Sequence, residues 1–113
     1  FLTAYSNDFD FDGIFSRQVE ALGKAGDILI GISTSGRSRN VQRAASQART
    51  RGMSVIVLMG SDGPMEELAD IAIKVPSTST QHIQETHLAI EHMICHLVER
   101  QMYEGSTSPQ TKK

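Results

Sequence analysis

The chain has 113 residues, of which 39% are hydrophobic and 21% charged, the balance of an ordinary globular domain. Eleven Lys plus Arg against thirteen Asp plus Glu give a formal net charge of -2, so no basic surplus exists to neutralise nucleic-acid phosphates or to dock on an acidic membrane. The lone cysteine, Cys95, builds no intrachain disulfide framework, and the longest apolar runs fall far short of the roughly 20 residues that span a bilayer, so a cytoplasmic setting without nucleic acid or membrane is expected.

Phe1-Leu2-Thr3-Ala4 reads as the end of a buried strand, which predicts that the chain is the C-terminal part of something longer. Asp10 and Asp12 precede a helix through Phe15, Val19 and Leu22 and are expected to cap it, with Gly23 as its stop. Asp27-Ile28-Leu29-Ile30-Gly31-Ile32 is a short continuous apolar run, the pattern of a strand buried on both faces. Ser38 or Asn40 caps the next helix, in which Val41, Ala44, Ala45 and Ala48 recur at helical spacing up to Gly52. A second β-branched strand, Ser54 to Met59, leads into the turn Gly60-Ser61-Asp62-Gly63-Pro64. A short helix over Met65 to Leu68, a third strand over Ile71 to Val75 and one long helix from Thr80 to about Tyr103 follow. Residues 1–103 thus form one domain. Glu104 to Lys113, too polar to bury, is predicted to be a disordered tail. Strands alternating with helices imply parallel crossovers and an α/β, doubly wound parallel sheet.

The segment Ser33-Thr34-Ser35-Gly36-Arg37-Ser38 lies between a strand end and a helix start, where open α/β sheets bind ligands. A helix N-terminus offers unpaired N–H groups and partial positive charge to an anion. Four hydroxyls add donors, Gly36 permits close backbone approach and Arg37 adds charge. The same residues also suit a hydroxyl-rich turn with a helix cap. The Gly-rich Lys-Ser/Thr loop of nucleotide triphosphate sites is absent, as is GxGxxG after a strand, so a sugar phosphate or small phosphomonoester fits better.

On the long helix, Ile83, His87, Ile90, Ile94, Leu97 and Val98 share one stripe, expected to be the core face. Gln84, Leu88, Glu91, His92 and Cys95 lie on the adjacent stripe, with Gln84 and His92 two turns apart and able to point into one cavity. Such a pair can orient a sugar, bind a metal or move a proton, although a helical histidine can equally be only packed or solvated. His92 and His96 stand at i and i+4 without the HExxH pattern, and Cys95 reads as packing rather than as a nucleophile. Ser6-Asn7-Asp8 can hydrogen-bond sugar hydroxyls or simply make a turn.

The run Asn7-Asp8…Ile14-Phe15-Ser16-Arg17-Gln18-Val19-Glu20-Ala21, followed by Gly26 to Gly36 with its Ser33-Thr34-Ser35-Gly36, resembles the sugar isomerase (SIS) domain of phosphoheptose isomerases. Ala69-Asp70-Ile71, Val75-Pro76-Ser77 and Ile83-Gln84-Glu85-Thr86-His87…His92 continue the likeness in order across residues 1–103. The resemblance implies isomerisation of sedoheptulose 7-phosphate to D-glycero-D-manno-heptose 7-phosphate through an enediol(ate), on the way to lipopolysaccharide heptose. It implies that Ser33, Thr34, Ser35 and Ser38 hold the phosphate end, that Asn7, Asp8 and Gln84 are further substrate contacts, and that Gln84 and His92 are ligands of a zinc ion. It assigns proton transfer to His92 and to a glutamate upstream of this chain, and implies a homotetramer. The family's upstream half, with its Gly-Asn-Gly-Gly-Ser loop, catalytic glutamate and another metal-ligand histidine, is not in the sequence, so the chain alone is expected to be inactive. Arg37 stands where many members carry asparagine, and Gln81 where some carry aspartate. The alternatives are a non-catalytic SIS relative that binds a replication initiator, or a phosphosugar-sensing domain. His92 favours the enzyme, because the initiator-binding relative lacks histidine there.

Overall fold

Three β-branched runs become the three strands of a parallel sheet, in a computed structural model that describes residues 11–107. They are β1 (Ile28–Ser33), β2 (Ser54–Met59) and β3 (Ile71–Lys74), in the order β1-β2-β3. The strands are joined by helix α2 (Arg39–Thr50) and by a 3-10 turn (Pro64–Leu68), preceded by α1 (Ile14–Leu22) and followed by α3 (Thr80–Thr107). The register places Gly31 beside Val57 and Val57 beside Ala72 on one face, and Ile32 beside Leu58 and Leu58 beside Ile73 on the other.

The first face carries the core. Ala44, Ala45 and Ala48 of α2 are small enough to bring that helix down onto Val55, Val57 and Met59, with Val19 of α1 and Met65 of the 3-10 turn completing the cluster. Asp70 closes the entry to β3, accepting the Val55 amide at 2.7 Å while its own N–H donates to the Val55 carbonyl at 2.8 Å.

The second face is covered by α3, and only in part. Ile83 and His87 are buried against the C-terminal end of β2, where Leu58 is fully buried. Beyond them the helix departs from the sheet. Ile90 and Ile94 are half-buried, whereas Leu97 and Val98, expected on the core face, are exposed. For the same reason β1 is not buried on both faces as its apolar run predicts. It is an edge strand among the described residues, and Ile28, Ile30 and Ile32 remain 61%, 43% and 44% exposed.

Local differences have identifiable causes. Asp12 lies in a 3-10 turn (Phe11–Gly13) and pairs with Arg39 at 3.4 Å, so Gly13 takes the N-cap position of α1 with no side-chain cap. Asp10 is outside the described residues. Ser79 starts α3, its hydroxyl accepting the His82 amide at 3.3 Å and its carbonyl the Ile83 amide at 3.0 Å. The far end of α3 continues one turn past Tyr103 to Thr107, with Arg100 and Glu104 paired at i and i+4. No helix among the described residues is long and apolar enough to cross a membrane.

Candidate functional site

At the C-terminal end of β1 the chain turns sharply into α2, and the hydroxyl segment forms that turn. Gly36 has φ +68°, a left-handed conformation that an L side chain would strain. Ser33, 6% exposed, is the hub. Its Oγ accepts the Gly36 N–H at 3.1 Å and lies 2.9 Å from Ser38 Oγ and 3.4 Å from Ser35 Oγ. Ser35 Oγ in turn accepts the Arg37 N–H at 3.0 Å. Ser38 stands at the N-cap of α2, yet its hydroxyl makes no capping hydrogen bond, because it is engaged with Ser33. The start of α2 therefore keeps donor capacity beside a ring of hydroxyls, an arrangement that suits an anion.

The neighbouring strand end buttresses this loop. Gly60, immediately after β2, donates its N–H to the Thr34 carbonyl at 3.0 Å, and Met65 donates to the Gly36 carbonyl at 3.2 Å. A Cβ on Gly60 would stand 2.6 Å from Thr34 O and 2.9 Å from Ile83 Cδ1, so glycine alone permits this approach. The sequence reading treats residues 60–64 as a turn and nothing more. The missed signal is that Gly60 ends a strand parallel and adjacent to the one carrying the hydroxyl loop. Lys74 steadies the same turn from β3, with Nζ 3.0 Å from Glu66 and 3.1 Å from Asp62. The hydrogen bond to Glu66, then that to Asp62, raises the Lys74 pKa above its ordinary value.

His92 borders an open hollow of about 900 Å³ between α3 and Ile30 of β1, together with Glu91, Cys95, His96 and Glu99. Gln84 is exposed and is not among the residues that line that hollow. Cys95 is exposed rather than packed. The described residues do not fit a zinc ion by themselves. Gln84 and His92 offer two donors, and no group of three or more His, Cys, Asp or Glu is gathered to hold a metal among them. Asn7 and Asp8 lie outside the described residues.

The SIS domain family model matches residues 2–60. The phosphoheptose isomerase of Geobacter sulfurreducens is 52% identical over 103 residues, an alignment covering 90% of this chain and 54% of that protein. The one from Rhodospirillum rubrum is 54% identical over 99 residues, covering 87% and 53%. Among solved structures, the phosphoheptose isomerase of Neisseria gonorrhoeae superposes with a TM-score of 0.83 at 46% identity, covering 87% of this chain and 55% of that one. The Francisella tularensis phosphoheptose isomerase gives 0.84 at 39% identity, covering 88% and 54%. The chain spans about half the length of the curated relatives it matches.

Proposed function

The chain belongs to the SIS domain family, and on that footing we propose that it supplies the phosphate-holding loop and the acid–base histidine of an aldose–ketose isomerase acting on sedoheptulose 7-phosphate. The observation that carries this reading is the loop itself: the hydroxyls of Ser33, Ser35 and Ser38 and the start of α2 converge at the C-terminal end of β1, with Ser33 at their centre. A sugar phosphate seats its dianion there, receiving hydrogen bonds from Ser35 and Ser38 and from the backbone of the turn. Asn7 and Asp8, at the chain's start, contact the sugar hydroxyls.

Isomerisation moves a carbonyl by one carbon. A base takes a proton from C1 of the ketose to give an enediol(ate), the O1 hydroxyl proton passes to O2, and return of the carbon-bound proton to C2 leaves an aldehyde at C1 and a hydroxyl at C2. His92 is the group in this chain that moves that proton. The carboxylates that border the same hollow, Glu91 and Glu99, stand on the same helix as His92, so no acid–base partner faces it from another element among the residues lining that hollow. The partner group, any metal site and the tetramer contacts fall, on this reading, in the length of the relatives that this chain does not span. The product is a heptose phosphate for surface-glycan synthesis in the cytoplasm.

Calorimetric titration with sedoheptulose 7-phosphate, and with inorganic phosphate as competitor, tests the reading. Residues 1–113 should bind both and turn over neither, while the full-length protein forms aldose. Absence of binding by the full-length protein, or isomerisation by residues 1–113 alone at the full-length rate, would overturn it.

A further inference from the structure

We infer that His87, which the proposed chemistry does not use, is a positioning residue that fixes α3 against the hydroxyl loop through a single peptide unit. Its side chain is 2% exposed, and its Nε2 lies 3.0 Å from the Met59 carbonyl. A carbonyl can only accept, so Nε2 carries the proton. The Met59 carbonyl and the Gly60 N–H are the two ends of one peptide bond, and the Gly60 N–H donates to the Thr34 carbonyl at 3.0 Å. A continuous chain of donors thus runs from the α3 imidazole through the Met59–Gly60 peptide to the loop proposed to hold phosphate. Val75 donates to the same Met59 carbonyl at 3.0 Å, so the segment leading into α3 is tied to that atom as well.

Burial makes the arrangement informative. The other ring nitrogen, Nδ1, is buried without a hydrogen-bond partner among the described residues. An apolar residue of similar size would avoid that desolvation cost, and Ile83, one turn earlier, already supplies apolar packing. What an imidazole adds at this position is the Nε2 donor. In a low-dielectric setting such a donor polarises the peptide it binds and strengthens the hydrogen bond at the peptide's other end. It also sets the rotation of α3, and with it the face bearing His92 five residues on, relative to Thr34.

The kinetic effect rests on the isomerase reading, so the test has two independent readouts in the full-length protein. Gln can place a donor where Nε2 stands, whereas Asn places one near Nδ1, too short to reach Met59. His87→Asn, confirmed as folded by circular dichroism, should lose roughly 10²-fold in kcat with KM within about threefold. His87→Gln should recover most of the loss. Amide exchange at Gly60 should accelerate about tenfold or more in the Asn variant and return toward wild type in the Gln variant. Equal kcat and equal Gly60 exchange in the two variants, or a proton on Nδ1 in imidazole ¹⁵N spectra, would overturn the proposal. If the wild-type protein has no isomerase activity, the functional reading fails while Gly60 exchange still decides the role of His87.

Discussion

Ser33 and Ser38, the last residue of β1 and the residue before α2, face each other with their hydroxyl oxygens 2.9 Å apart. The strand end and the helix start are thereby joined by side chains, in addition to the turn between them. A helix-start serine that would otherwise cap α2 is diverted to the loop, so the loop is held in shape before any ligand arrives.

Ser33 and Ser35 should therefore respond differently to truncation. Ser33→Ala removes the partner of the Ser38 hydroxyl and leaves the Gly36 N–H with the Ser33 carbonyl alone, and should lower stability by about 1 kcal/mol as well as weakening phosphate binding. Ser35 is exposed, so Ser35→Ala should leave the melting temperature nearly unchanged while weakening sugar-phosphate binding about tenfold or more. Differential scanning calorimetry alongside binding titrations checks the pair. Unchanged affinity in both variants would remove the phosphate site from the loop.

Gly60→Ala should damage loop and helix together. The new methyl would meet the Thr34 carbonyl at 2.6 Å and Ile83 at 2.9 Å, and the first of these is backbone that cannot swing away. The expected cost is about 1–3 kcal/mol of stability, measurable by urea unfolding, with weaker phosphate binding. A neutral result would mean that the β2 end does not brace the loop.

His92→Gln in the full-length protein should reduce turnover by roughly 10²–10⁴-fold while leaving substrate affinity within about an order of magnitude. His96 borders the same hollow, yet His96→Gln should be nearly silent. Steady-state kinetics on both variants decide the assignment, and equal losses would contradict it.

Lys74 gives a pH signature. Its pKa is raised above the ordinary 10.5, mainly by Glu66 and then by Asp62. Its contribution to stability is therefore complete below that ordinary value and is lost as pH rises through the higher folded-state pKa. Lys74→Met should carry a constant stability penalty between about pH 6 and 9, and the penalty should shrink above about pH 10.5. Urea midpoints across that range would show it. A penalty that persists undiminished would place the loss in packing instead.

The strands, α2 and the hydroxyl loop are legible in the sequence because each rests on local signals: β-branched runs, alanines at helical spacing, and Ser and Gly at a junction. What stayed hidden depends on placement between elements. Continuous apolarity in β1 could not reveal that α3 leaves Ile28, Ile30 and Ile32 partly bare, since periodicity does not say how far a covering helix reaches. Gln84 and His92 share a helix stripe, yet only His92 borders the hollow, because the stripe is longer than the surface it meets. Gly60 read as punctuation, although its N–H is what secures Thr34. That contact follows only once the alternation of strands and helices is used to set β1 and β2 side by side in parallel, which puts their C-terminal ends together.

The half-covered isoleucines of β1 bear on how the chain behaves at the bench. Attraction between such surfaces grows on warming and fades in the cold, because it is driven by water released from apolar side chains. Solutions of residues 1–113 should accordingly stay clear longest near ice temperature and cloud first when warmed, at temperatures below the unfolding transition itself. Storage temperature, rather than folding strength, then decides how concentrated a sample can be made.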